Sequence, residues 1–75
     1  MQVDLQEPDQ KIAPVIAERC AAFGKVVSVK IFRSPSPFAL VEMGNQMQTL
    51  ELAGQFGGST FGRSALIHLE PKPKE

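Results

Sequence analysis

Apolar and polar residues alternate along short segments of this chain, which is the pattern of a β-strand with one buried face. Residues 3–6 and 26–32 alternate in this way, and 38–43 form a third predicted strand after a Pro-rich loop at 34–37. At 65–69 the apolar content, more than alternation, predicts a last strand. The chain is therefore expected to contain four strands.

Two other segments have the periodicity of a helix. In the first, apolar side chains recur at the spacing of one helix face, namely Ile12, Ile16, Cys20 and Phe23. Pro14 is compatible only with a first turn, so the pattern predicts a regular helix over 13–22 that ends at Gly24. The apolar face is predicted to be core, Cys20 included, because a buried cysteine behaves as a small hydrophobe.

The second helical segment begins with a capping signal. Asn45 can cap a helix, and Gln48 stands three residues later, as the reciprocal bond of a capping box requires. The helix is expected to end near Gly54, and 55–62 are predicted to form a loop. The residues that share the predicted buried face of this helix are Met47, Leu50 and Ala53.

The predicted order is strand, helix, strand, strand, helix, strand. This is the α+β, ferredoxin-like β-α-β-β-α-β plan, in which two right-handed crossovers place both helices on one face of a four-stranded antiparallel sheet. The other sheet face stays open. Residues 1–70 are expected to form the single domain, and 71–75, with two prolines and two lysines, the start of a C-terminal linker.

Charge and cysteine content limit the classes of function. Eight basic and eight acidic residues give zero formal net charge, so the composition alone does not indicate a nucleic-acid partner. The single cysteine, Cys20, excludes an internal disulfide and fits a reducing compartment, nuclear or cytoplasmic. No apolar run approaches the roughly 20 residues of a membrane span, and no signal-peptide pattern opens the chain.

Residues that carry catalysis are scarce. The one histidine, His68, and Cys20 lie in different segments without ligand spacing, and no glycine-rich phosphate loop is present. We therefore expect no enzyme activity, no metal site and no cofactor.

Three stretches together resemble the RNA recognition motif family over nearly the whole chain. Residues 23–31 look like its helix end, turn and second strand. Residues 36–43 are similar to its third-strand signature at Phe38, Ala39 and Val41. Gly57, followed after four residues by Gly62-Arg63, looks like its turn before the last strand.

The resemblance is degenerate at the positions that stack bases in the family. Asp4 falls on the first-strand stacking position, Leu40 on the central third-strand position, and Ser36 replaces the usual basic residue. Alternation puts Asp4 and Glu42 on the open face. Residues 39–46 and 61–69 are similar to the polypyrimidine-tract-binding and matrin-like branch, which lacks the full aromatic set yet binds pyrimidine-rich RNA.

The resemblance implies a monomeric domain, within a larger RNA-processing protein, that binds single-stranded RNA weakly on its open sheet face. Aromatic side chains there stack bases, and lysine or arginine contacts phosphates. The residues predicted for RNA binding are Lys30, Phe32, Arg33, Phe38, Leu40 and His68.

An alternative is a protein-interaction module on the same fold. Residues 18–26 are similar to the splicing-auxiliary-factor homology motifs, which bind a tryptophan-bearing peptide, although the arginine of their final-loop signature is missing at 59–61. The peptide-binding residues on this reading are Glu18, Phe61 and Arg63. Otherwise Phe61 is expected to anchor its loop to the core.

Overall fold

The computed structural model describes residues 1–72 and bears out an α+β domain with two helices and a four-stranded antiparallel sheet. A short 3-10 turn, Ala21–Phe23, follows the first helix. The other elements are β1 (Gln2–Val3), α1 (Asp9–Cys20), β2 (Val26–Phe32), β3 (Phe38–Met43), α2 (Gln46–Phe56), β4 (Ser59–Phe61), β5 (Ser64–His68) and β6 (Glu70–Pro71).

The first predicted strand does not enter the four-stranded sheet, whose order is β2-β3-β5-β4. Instead β1 pairs in parallel with β6, and the backbone N–H of Glu70 donates to Met1 O at 2.8 Å. The chain leaves β1 after two residues because Asp4 begins a turn: its carbonyl accepts from the Glu7 N–H, and its side chain from Gln6. The ferredoxin-like strand order is therefore not confirmed.

The fourth strand of the sheet comes from a segment predicted to be loop. Ser59–Phe61 pairs with β5 through a two-residue connection, Gly62-Arg63, and Gly62 has φ +60°. A positive φ at the first central position suits the type II′ turn of such hairpins. Gly58 admits the approach of β5, because a Cβ there would overlap the Leu66 carbonyl. The loop prediction for these residues was wrong.

Helix α1 begins at Asp9, four residues before the predicted start, so Pro14 lies inside the helix and not in its first turn. Pro14 has no N–H for the carbonyl of Gln10, but both residues are exposed, so that carbonyl can face water. The predicted core face is confirmed at Ile12, Ile16 and Cys20, which are buried. Phe23, half-buried, packs edge-on against Phe56 with ring centroids 6.0 Å apart.

Helix α2 has the predicted cap but not the complete capping box. Asn45 Oδ1 accepts the Gln48 N–H at 2.8 Å, whereas Gln48 Oε1 is buried and has no hydrogen-bond partner among the described residues. The Gln48 side chain packs against Gly24, where a Cβ would overlap it. The helix ends at Phe56, two residues beyond Gly54, and Gly57 caps it in the left-handed conformation.

The predicted buried face of α2 is confirmed at Ala53 and wrong at Met47 and Leu50. Thr49, Leu52 and Ala53 are buried, whereas Met47 is 72% and Leu50 53% exposed. Thr49 is polar, but its hydroxyl can donate to Arg63 O at 2.8 Å or Asn45 O at 3.0 Å, so it is satisfied inside the core.

Both helices lie on one face of the sheet. Their buried side chains form one cluster with alternate residues of β3 and β5. The predicted linker, 71–75, begins inside the fold, because Pro71 pairs with Val3 and the Lys72 N–H donates to Val3 O at 3.1 Å. Residues 73–75 lie outside the described part of the chain.

Candidate nucleic-acid interface

The sheet face opposite the helices, here called the open face, consists of three rows of side chains set by strand register. The first row runs across β2, β3 and β5, and the other two also reach β4. Residues between them in sequence point to the helices. The rows are Phe32, Phe38 and His68; then Lys30, Leu40, Leu66 and Ser59; then Ser28, Glu42, Ser64 and Phe61.

The first row carries a stacked aromatic pair. The rings of Phe32 and Phe38 are 4.9 Å apart between centroids and inclined by 15°, an offset stack. The hairpin of β2 and β3 sets this geometry by pairing the two residues directly. Phe32 is 42% exposed and Phe38 half-buried. Each ring covers one face of the other, so the pair forms one aromatic platform with an outer face on each ring.

His68 and Lys30 flank this pair. His68 is exposed and pairs with Phe38 on the side away from Phe32. Lys30 is exposed in the middle row, on the edge strand β2, and among the described residues it has no ion-pair partner. Leu40 and Leu66 are half-buried beside it and form an apolar floor. Five of the six predicted RNA-binding residues, all except Arg33, therefore surround the aromatic platform or belong to it.

Arg33, at the end of β2, is engaged within the fold. Its guanidinium donates to Leu5 O at 2.7 Å, Glu7 O at 2.8 Å and Asp9 Oδ1 at 2.8 Å. These three bonds hold the turn after β1 against the sheet. Two of its five N–H groups remain for another acceptor, so the geometry favours a structural role over a phosphate contact.

Asp4 is not on the open face, contrary to the prediction from alternation. It lies in the turn after β1, outside the four-stranded sheet, and its carboxylate accepts the Gln6 N–H at 3.1 Å. Glu42 is thus the one carboxylate in the three rows, where it pairs with Ser28 and Ser64. The predicted pair of carboxylates, Asp4 and Glu42, is therefore not present on the open face.

Phe61 lies on the open face and is 64% exposed, so the expectation that it anchors a loop to the core was wrong. It is exposed because 59–61 is a strand that presents alternate residues to opposite faces. The sequence did contain a signal for this strand, since Thr60 and Phe61 favour β-structure and Gly62 favours a hairpin turn.

The residues of the peptide-binding alternative do not converge. Glu18 is exposed on α1, in the helical layer, while Phe61 is on the opposite side of the sheet. Arg63 is exposed in the hairpin turn, and its carbonyl accepts the Met43 N–H at 2.8 Å. The backbone of the turn is therefore fixed.

Other chemistry is limited in the described part of the chain. Burial raises the pKa of the Cys20 thiol to about 11, so it is not a nucleophile at neutral pH. Within residues 1–72, no three His, Cys, Asp or Glu residues are grouped as metal ligands would be. No helix of this range has the length and apolar character needed to span a bilayer.

Comparison of the chain with protein-family models, with curated proteins and with solved structures finds no match. The functional conclusion therefore depends on the geometry of the open face.

Proposed function

We propose that this domain binds single-stranded RNA on its open face, as a non-enzymatic module of a larger RNA-processing protein of the nucleus or cytoplasm. One observation carries the proposal: the stacked pair of Phe32 and Phe38 stands in a row with His68, and Lys30 is directly behind it. In complexes with single-stranded RNA, bases stack on aromatic rings of a sheet face, and nearby cationic side chains contact the phosphates.

The predicted RNA-binding residues have different roles in the proposed complex. One base stacks on the outer surface of the aromatic pair, a contact that contributes about 1–3 kcal/mol. Lys30 contacts the adjoining phosphate, and His68 stacks on or hydrogen-bonds the next base. Leu40 supplies apolar surface beneath the ligand. Arg33 contributes mainly by holding the end of β2.

The binding is expected to be weak. The chain has zero formal net charge, and within the three rows Lys30 is the single lysine or arginine. Each phosphate contact contributes a slope of about −0.7 to the dependence of log K on log salt for single strands. One or two such contacts predict a shallow salt dependence, so stacking carries most of the affinity.

We further propose that the domain is a divergent RNA recognition motif with a ferredoxin-like ancestry. The order of helices and of the longer strands supports this, as does Phe38 on the open side of β3. The strand order departs from that plan, since β5 pairs with β3 while β1 lies outside the sheet. The aromatic platform accordingly moves from the first and third strands to β2 and β3.

Amide chemical-shift mapping tests the proposal. Short single-stranded RNAs are titrated into uniformly ¹⁵N-labelled protein at low salt, with the matching RNA duplex as control. We expect shifts at Phe32, Phe38, Lys30 and His68 and smaller ones for the duplex, whose bases are not free to stack. No shift on the open face with any single strand contradicts the proposal.

A second candidate is a protein-docking module, favoured by the composition of the same face. Phe32, Phe38 and Phe61 are exposed or half-buried there with two leucines, whereas Lys30 and Glu42 cancel in charge. A tryptophan-bearing peptide discriminates the two candidates. Open-face shifts with that peptide and none with RNA favour protein docking, and binding that stays constant from low to high salt supports it.

A further inference from the structure

We propose that Phe61 is a second stacking platform of the open face, so that the face binds three to four nucleotides and not a single base. This inference depends on the proposed RNA-binding function. It adds a residue that the sequence placed in the core, and it defines the length of ligand.

Strand register places Phe61 on the same face as the first platform, at the far corner of that face. Phe61 pairs with Ser64, and Ser64 pairs with Glu42, which puts Phe61 in the third row on the edge strand β4. Its side chain is 64% exposed, more than Phe32 at 42%. An aromatic ring left this exposed contributes little to folding, because apolar surface stabilises only where it is removed from water.

The distance between the platforms follows from sheet geometry. Phe38 and the third row are four residues apart along β3, roughly 14 Å at about 3.4 Å per residue, and two strand spacings of about 4.8 Å separate β3 from β4. The diagonal is thus roughly 17 Å. A nucleotide has six backbone bonds, twice the three of a peptide residue that reaches about 3.3–3.6 Å, so it spans roughly 7 Å. Two to three steps join the platforms.

The surface along this diagonal suits an intervening base. Leu66, half-buried in the middle row on β5, lies midway between Phe38 and Phe61. Glu42 lies to one side of this diagonal, away from His68 and Ser59. Arg63, exposed in the turn after Phe61, supplies a cation at that end.

A length series tests the inference. Oligouridylates and oligoadenylates of one to six nucleotides are titrated against the wild-type protein, since stacking tolerates every base. We expect affinity to increase roughly 5- to 150-fold on reaching three to four nucleotides, which corresponds to about 1–3 kcal/mol for one additional stacked base. Longer oligomers should add little.

Variants then assign the increase to its platform. Phe61→Ala should remove the increase but keep the binding of one or two nucleotides, whereas Phe38→Ala should weaken every length. Phe61→Leu, which keeps an apolar side chain without a ring, should resemble Phe61→Ala. Met47→Ala, at a 72% exposed position of α2, is the matched control and should behave as wild type.

Unchanged amide dispersion in each variant shows that the fold is intact. If Phe61→Ala retains the full increase with length, or if the wild type shows none, the second platform is wrong while the RNA-binding function stands. If no oligomer of any length binds, the proposed function itself is overturned.

Discussion

The two faces of the four-stranded sheet carry different kinds of side chain, although these alternate along the same strands. On β3, Ala39, Val41 and Met43 face the helices and are fully buried. Their neighbours Phe38, Leu40 and Glu42 face outward and are half-buried. The aromatic ring and the charged group of this strand are thus on the open side. On the covered face, packing against the helices limits the volume of the side chains. On the open face that limit is absent, and side chains can be selected for contact with a ligand.

The same difference appears on β5. Ala65 and Ile67 are fully buried, whereas Leu66 is half-buried and His68 is exposed. The covered face should therefore control stability, and the open face should tolerate substitution unless a ligand is bound.

The largest expected effect is on the covered face. Ile67→Ala should lower the free energy of unfolding by about 2–5 kcal/mol because it leaves a cavity between sheet and helices. Leu66→Ala, at the next residue, should cost roughly 1 kcal/mol or less. Urea denaturation measures both. If Ile67→Ala does not fold, Ile67→Val with an expected loss of about 0.5–1.5 kcal/mol replaces it. Equal losses at 66 and 67 would show that the two faces do not differ.

The next effect is on binding by the open face. Phe38→Ala should weaken single-stranded RNA binding by about 1–3 kcal/mol, because it removes the stacked platform. Phe38→Trp keeps a ring and should restore most of the affinity. Fluorescence anisotropy of a labelled hexanucleotide measures the loss. RNA binding that is unchanged in Phe38→Ala would place the ligand on another surface.

A smaller effect separates Arg33, at the end of β2, from Lys30 on the open face. Arg33→Gln should cost roughly 1 kcal/mol or less in stability, because its side chain is 42% exposed and water screens its ion pair. RNA affinity should stay within twofold. Lys30→Gln should do the reverse, leaving stability unchanged and reducing the salt slope by about 0.7. Affinity lost in Arg33→Gln at constant stability would instead make Arg33 a phosphate ligand.

The smallest effect at neutral pH concerns Cys20 on the covered side. Burial raises the pKa of its thiol from the ordinary 9.0 to about 11, so the fold favours the neutral thiol. Stability from this group is complete below pH 9 and is lost as pH rises from 9 towards 11. Cys20→Ala should lack that part of the decline, and native protein should react slowly with a disulfide reagent at pH 8. Fast labelling of folded protein would show that the thiol is exposed.

Much of the local structure could be predicted from sequence. The alternation in 26–32 and 38–43, the core face of α1, and the cap at Asn45 all appear in the structure. These features depend on neighbours within a few residues, through the periods of strand and helix and the hydrogen bond of a cap. The paired Phe32 and Phe38 also follow from one short hairpin.

The errors occurred where distant residues decide. The buried face of α2 includes Thr49, whose hydroxyl can donate to the carbonyl of Arg63, and helical periodicity takes no account of such a distant partner. β3 pairs with β5 instead of β1. The local sequence does not show which of these two pairings has the lower free energy. Phe61 was predicted to lie in the core but is on the surface, because 59–61 pairs with β5 as a hairpin strand.

The sequence by itself determined which residues alternate in β2 and β3 and which face of α1 is apolar. Only the tertiary structure decided which strands form that face, that Asp4 is absent from it and that Phe61 is present. Periodicity is a property of the chain at short range, whereas sheet order depends on which long-range pairings give the lowest total free energy once loops are closed.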